Sequence, residues 1–369
     1  MSATKFTLVH GTFSATADWV NNSAVDDANG FRAKLAKKFT QSVSFCTPPA
    51  WGSKRLIPFT DLTNAKRLDG AAKLQKHILE TDDQANHFVV AHSHGGNVAM
   101  YALQDDAVAQ KVDGLICLAT PFLYPRRRPL SVIALILSLG IMLVGVMQFI
   151  WSAGHSDPGS LSWLTIASLF VFTVAVPACL TWLVAFERYK YKYRDDSRLD
   201  TLIDKLSYKD PNIPILLIRA SGDEASGLLR GAQFLNWLGG VGMRLGGRQI
   251  YLLVCAVALT VSWMAYQGSD MVPEFIVPLL KQGLIISAAL MVILLMALTL
   301  SRIFVGFDAW RWVGEIETMV EDGPPGIAAE MVVSTPSGNG SGLSHTSIYE
   351  SDETLEIIAK WCNKIIANK

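Results

Sequence analysis

A serine with a small residue two positions away on either side, set between an apolar run and a helical stretch, is built for nucleophilic chemistry. In H-F-V-V-A-H-S-H-G-G-N-V-A-M-Y-A-L, Ser93 has Ala91 two residues before it and Gly95 two after. A sharp strand-to-helix turn forces the central serine into a strained backbone conformation that exposes its hydroxyl, and such a turn tolerates only small flanking residues. Alanine stands here where the usual pattern has its first glycine, which keeps the steric logic. As a bare five-residue pattern this is common in turns, so its placement between a strand and a helix is what singles out Ser93.

A serine hydroxyl attacks a carbonyl only when a base takes its proton and a carboxylate orients that base. Where the nucleophile sits in such a turn, the partners follow in the chain order Ser, Asp, His. I-P-I-L-L-I-R-A-S-G-D-E-A-S supplies a buried strand, a Ser-Gly turn and Asp223, with Glu224 as a possible substitute; Asp113 is set aside because it precedes its strand. His345, in G-S-G-L-S-H-T-S-I-Y, is the only histidine after His155 and is therefore the expected base. The developing oxyanion needs preorganised backbone N–H donors. The run L-V-H-G-T-F ends a strand in a His-Gly turn, so the N–H of Thr12, or alternatively Phe13, is expected to pair with that of His94. His92 and His94 flank the nucleophile, but no further ligands stand at metal spacing. They are read as turn residues with a local role, and no metal or cofactor is expected.

These residues must be positioned by a sheet. Runs at Phe6 to Val9, Ser42 to Cys46, His87 to Ala91, Leu115 to Ala119, Ile213 to Arg219 and Met331 to Ser334 read as strands alternating with amphipathic stretches. That is the signature of a mostly parallel sheet covered by helices, an α/β fold. Leu68, Ala71, Leu74 and Ile78 recur on one helical face. A last helix is predicted near Glu350 to Ile366, with acidic residues at its start and Lys360 and Lys364 toward its end. Pro336 to Gly342 is a Gly/Ser/Pro-rich loop with no regular pattern.

Composition adds a second theme. Of 369 residues 50% are hydrophobic and 17% charged, and the mean hydropathy is +0.30, high for a protein without lipid-embedded segments. Four nearly charge-free stretches are long enough to cross a bilayer: Pro129 to Trp151, Leu161 to Phe186, Gln249 to Tyr266, and about Gln282 to Ser301. They form two hairpins. Arg126, Arg127 and Arg128 precede the first and Arg188, Lys190, Lys192 and Arg194 follow it; Arg244, Arg248 and Arg302 flank the second. By the positive-inside rule, the outer ends of both hairpins and both chain termini are expected in the cytoplasm, at a plasma (inner) membrane crossed several times. No signal peptide is read at the N-terminus. The expected organisation is a hydrolytic core over 1–125, 195–243 and 305–369, interrupted by hairpin insertions at 126–194 and 244–304. Net charge is zero, which argues against a nucleic acid partner. The five scattered cysteines read as small buried hydrophobes.

On the A-H-S-H-G-G motif and the order Ser93, Asp223, His345, the chain resembles the α/β-hydrolase superfamily, in particular lipases and esterases with an H-G-x oxyanion turn. The resemblance covers the polar two thirds of the sequence. It implies a chain that begins at the family's third strand, and a first hairpin placed where relatives carry a lid. The implied activity is a membrane-anchored serine hydrolase of lipid-like carboxylic esters, with membrane lipid and the bilayer as partners. The stretch G-L-L-R-G-A-Q-F-L-N-W-L-G-G after Asp223 suits either an interfacial segment or an ordinary amphipathic helix. Alternatives are an acyltransferase or soluble-ester esterase on the same residues, or a non-catalytic regulator of a membrane channel or signalling element.

Overall fold

A computed structural model describes residues 3–12, 19–20, 30–51, 63–81, 85–127, 197–223, 316–335 and 344–369, with a few positions in 227–234 and residues 292 and 296. Apart from those last two positions, the four apolar spans lie outside the described residues. Among the described residues no helix is long and apolar enough to cross a membrane.

The strands are β1 (Thr4–Val9), β2 (Val43–Cys46), β3 (Asn86–His92), β4 (Gly114–Leu118), β5 (Phe122–Arg127), β6 (Ile215–Ala220), β7 (Ile316–Glu321) and β8 (Glu330–Ser334). The helices are α1 (Phe31–Ala36), α2 (Asn64–Leu79), α3 (His94–Ala102), α4 (Asp106–Ala109), α5 (Ser197–Leu206), α6 (Ser344–Ser347) and α7 (Asp352–Ala367). Six strands form one sheet in the order β2-β1-β3-β4-β6-β8, and every neighbouring pair is parallel. The chain is an α/β protein with a mostly parallel sheet.

Why the central strands read as unbroken apolar runs is visible in their burial. Every residue of β3 is buried, because Phe88 and Val90 enter the core on one face while Val89 and Ala91 enter the core on the other. Strands covered on both faces have no solvent side to keep polar. One core receives Phe31 and Leu35 of α1 and Leu355, Ile358 and Trp361 of α7. The other receives Ala71, Leu74 and Ile78 of α2 and Val98 to Ala102 of α3. Ser351 caps α7, its hydroxyl accepting from the Thr354 N–H at 3.5 Å, with Asp352 and Glu353 in the first turn.

A second, two-stranded antiparallel ladder pairs β5 with β7. Its register sets Arg127 opposite Ile316 and Phe122 opposite Glu321. The sequence reading assigned Arg126 and Arg127 to the flank of an apolar hairpin; they are the last two residues of β5. Arg127 donates from Nε to Asp200 Oδ1 of α5 at 2.9 Å. The chain therefore departs after residue 127 and returns at α5 beside its point of departure, and residue 316 re-enters directly across the ladder.

Candidate active site

Register in a parallel sheet decides which loops meet. Val9 lies opposite Ala91, His92 opposite Leu118, and Leu118 opposite Ile218. The loops after β1, β3, β4, β6 and β8 consequently leave one edge of the sheet, where open α/β sheets assemble their sites.

Ser93 occupies the turn from β3 into α3 with φ 53° and ψ −131°, a sparsely populated conformation that costs about 1–3 kcal/mol and persists only where the surroundings impose it. They impose it here. The Ser93 N–H donates to the Leu118 carbonyl at 2.9 Å and its carbonyl accepts from Gly96 N–H at 3.0 Å. A Cβ on Gly95 would stand 2.6 Å from the His10 carbonyl oxygen and 2.7 Å from that of Val9. The sequence's demand for a small residue two after the serine is thus a demand made by the end of β1. The serine also heads the nine-residue helix α3 without capping it through its side chain, which sets its hydroxyl at the positive end of a helix.

The turn after β1 is held in place by its own histidine. His10 Nδ1 donates to the Gly11 carbonyl at 2.8 Å, while its Nε2 accepts from the Trp51 N–H at 3.3 Å; Trp51 Nε1 donates to the His10 carbonyl at 3.1 Å. The two rings stack at 5.3 Å. A Cβ on Gly11 would lie 2.7 Å from Ser93 Cβ, so Gly11, with Thr12 following it, presses directly on the nucleophile turn. Trp51 gave no signal in the sequence, where it stands in an apolar Pro-Pro-Ala-Trp run.

Asp223 and His345 meet. His345 Nδ1 donates to Asp223 Oδ1 at 2.9 Å, and the two side chains are 12% and 4% exposed. Asp223 reaches this position because Gly222 adopts φ +77° after β6, which is why the acid follows a Ser-Gly turn. Glu224 lies outside the described residues. Asp113, set aside from the sequence, sits far from this edge and accepts from the His87 N–H at 2.8 Å through Oδ2. His345 lies on α6, and its ring centroid is 4.9 Å from that of His92, the residue before Ser93. The three residues singled out from the sequence therefore gather at one edge of the sheet, Asp223 and His345 in direct contact and His345 packed against the turn that carries Ser93.

The histidines beside Ser93 are neutral at ordinary pH. Burial, and then the charge on His345, lowers His92 to about 4. Burial, followed by Arg67 and His345, lowers His94 to about 3. Arg67 is itself buried beneath the turn, a charge the sequence reading did not single out. Among the described residues no group of histidine, cysteine and acidic side chains could hold a metal ion.

No family model matches the sequence, and no curated protein matches it. Among solved structures the chain is similar to the crystal structure of a "putative lipase" from Acinetobacter baumannii AYE, at 15% identity and a TM-score of 0.26, covering 62% of this chain and 72% of that one. That likeness is too slight to bear on function.

Proposed function

We propose that this protein is a membrane-anchored serine hydrolase that cleaves lipid-like carboxylic esters, with Ser93 as nucleophile, His345 as general base and Asp223 as the orienting acid. The observation that carries the reading is the His345–Asp223 hydrogen bond of 2.9 Å, made across 122 positions of sequence beside a strained serine. A carboxylate can only accept, so the imidazole proton sits on Nδ1 and the lone pair on Nε2. That tautomer is the one a base needs.

In the proposed reaction Ser93 Oγ forms a bond to the ester carbonyl carbon as its proton passes to His345 Nε2. The oxyanion is received by the N–H groups of His94 and Thr12. Collapse breaks the ester C–O bond, and the imidazolium gives its proton to the departing alcohol. Water then adds to the acyl-enzyme, losing a proton to His345; collapse breaks the acyl C–Oγ bond, His345 returns the proton to Ser93 Oγ, and the carboxylic acid leaves.

The lipid preference and the placement at the inner membrane rest on the four apolar spans and their basic flanks. In sequence the first insertion follows β4 and β5 and the second follows β6, and the ends of β4 and β6 lie at the edge that gathers Ser93, Asp223 and His345, which supports a mouth set against the inner leaflet. A fluorophosphonate probe should label the detergent-solubilised protein at Ser93 and fail to label Ser93→Ala. Folded wild-type protein that does not react would sink the reading. Membranes incubated with wild type, compared with Ser93→Ala by lipid mass spectrometry, should lose one ester lipid class. A cysteine replacing His155 in the first hairpin loop should react with an impermeant maleimide on intact cells.

A further inference from the structure

His92 has no step in this reaction, yet it is buried between His345 and the turn at Gly11. Its Nε2 lies 3.0 Å from the backbone carbonyl of His345. A carbonyl only accepts, so the proton is on Nε2 and the Nδ1 lone pair stays bare. Nδ1 has no hydrogen-bond partner among the described residues, and it points toward the oxyanion turn, 3.4 Å from where a Gly11 Cβ would stand. A buried ring nitrogen left unsatisfied costs free energy. A phenylalanine would fill the same space among Trp19, Tyr349 and His345 without that cost.

The carbonyl it grips belongs to the base itself. His345 sits on a helix of only four residues. Downstream, Ile348 is fully buried and Tyr349 stacks on Trp19 at 5.5 Å, which packs the far side of the loop. The Asp223 bond fixes the far end of the ring. The backbone from which the ring hangs has a directional bond to His92.

We propose that His92 is a positioning residue, tying the backbone of the base to the strand that carries the nucleophile so that His345 Nε2 is held at Ser93 through every turnover. The proposal rests on the triad reading for its catalytic consequence, but the tether itself can be tested without catalysis. His92→Phe keeps the ring and loses the donor; His92→Gln loses the ring and keeps an Nε2 donor at similar reach. Hydrogen exchange of the 344–350 backbone, followed by mass spectrometry, should quicken in His92→Phe and stay near wild type in His92→Gln. Fluorophosphonate labelling of Ser93 should fall ~10- to 100-fold in His92→Phe, the scale expected of a misplacement of about 1 Å, and recover in His92→Gln. Melting temperatures establish that both variants fold. Unchanged exchange in His92→Phe overturns the tether. Equal losses in both variants overturn it too, since the ring's shape would then be what matters. If exchange follows the prediction while wild type does not label at all, the tether stands and the triad reading falls.

Discussion

In the proposed reaction the deciding residue is His345, and what decides its usefulness there is which nitrogen carries the proton. Asp223 accepts from Nδ1, which puts the imidazole lone pair on Nε2. Asp223→Asn keeps the volume but can donate through its amide, which permits the opposite tautomer. It is expected to leave the melting temperature nearly unchanged and to reduce the turnover number of ester hydrolysis about 10⁴-fold. The other histidines set a pH limit on the fold. His92 is held to about 4, His94 to about 3 and His87 to about 4, in each case chiefly by burial. Each lies below the ordinary value of about 6.5, so as pH falls the unfolded chain binds protons that the folded chain still refuses. Their stabilising contribution is complete above pH 6.5 and is lost as pH drops toward 4. Thermal unfolding should therefore shift several degrees lower between pH 7 and pH 4.5. His87→Gln, remote from the catalytic edge, should make that dependence shallower; an identical slope would remove His87 as a cause.

Among the elements, legibility followed the apolar pattern of each segment. The six strands of the main sheet were readable because each is a short apolar run between turns, and α2 and α7 because their core residues recur on one face. Ser93, Asp223 and His345 were readable because each follows a strand in an order that a parallel sheet brings to one edge. The ladder β5–β7 was not readable. Its strands, F-L-Y-P-R-R and I-E-T-M-V-E, mix proline and charge with apolar residues, and pair across nearly two hundred positions. Roles that depend on contacts between distant segments were hidden for the same reason: Trp51 under the His-Gly turn, Arg67 below His94, and His92 on the His345 carbonyl, 253 positions away. Close approach of β1 to α3 also yields a test. Gly95→Ala would set a methyl within 2.7 Å of two carbonyl oxygens. It should destabilise the protein by about 1–3 kcal/mol and widen the turn, slowing Ser93 labelling, as denaturant melts and probe kinetics would reveal.

At the scale of the whole molecule, a three-layer α/β body has to share one chain with the four apolar stretches read from the sequence. The ladder register that sets Arg127 across from Ile316, together with the Arg127–Asp200 contact, brings three of the four severed ends to a common doorstep. A host that opens and closes at one threshold does not feel the size of what is lodged there. Replacing 128–196 by a Gly-Asn turn between Arg127 and Ser197 should leave the remaining body folded, weaken its retention in alkaline-washed membranes, and preserve reaction of Ser93 with the probe. Such a fold can acquire or shed its lodger in a single genetic event, without redesigning the body that hosts it.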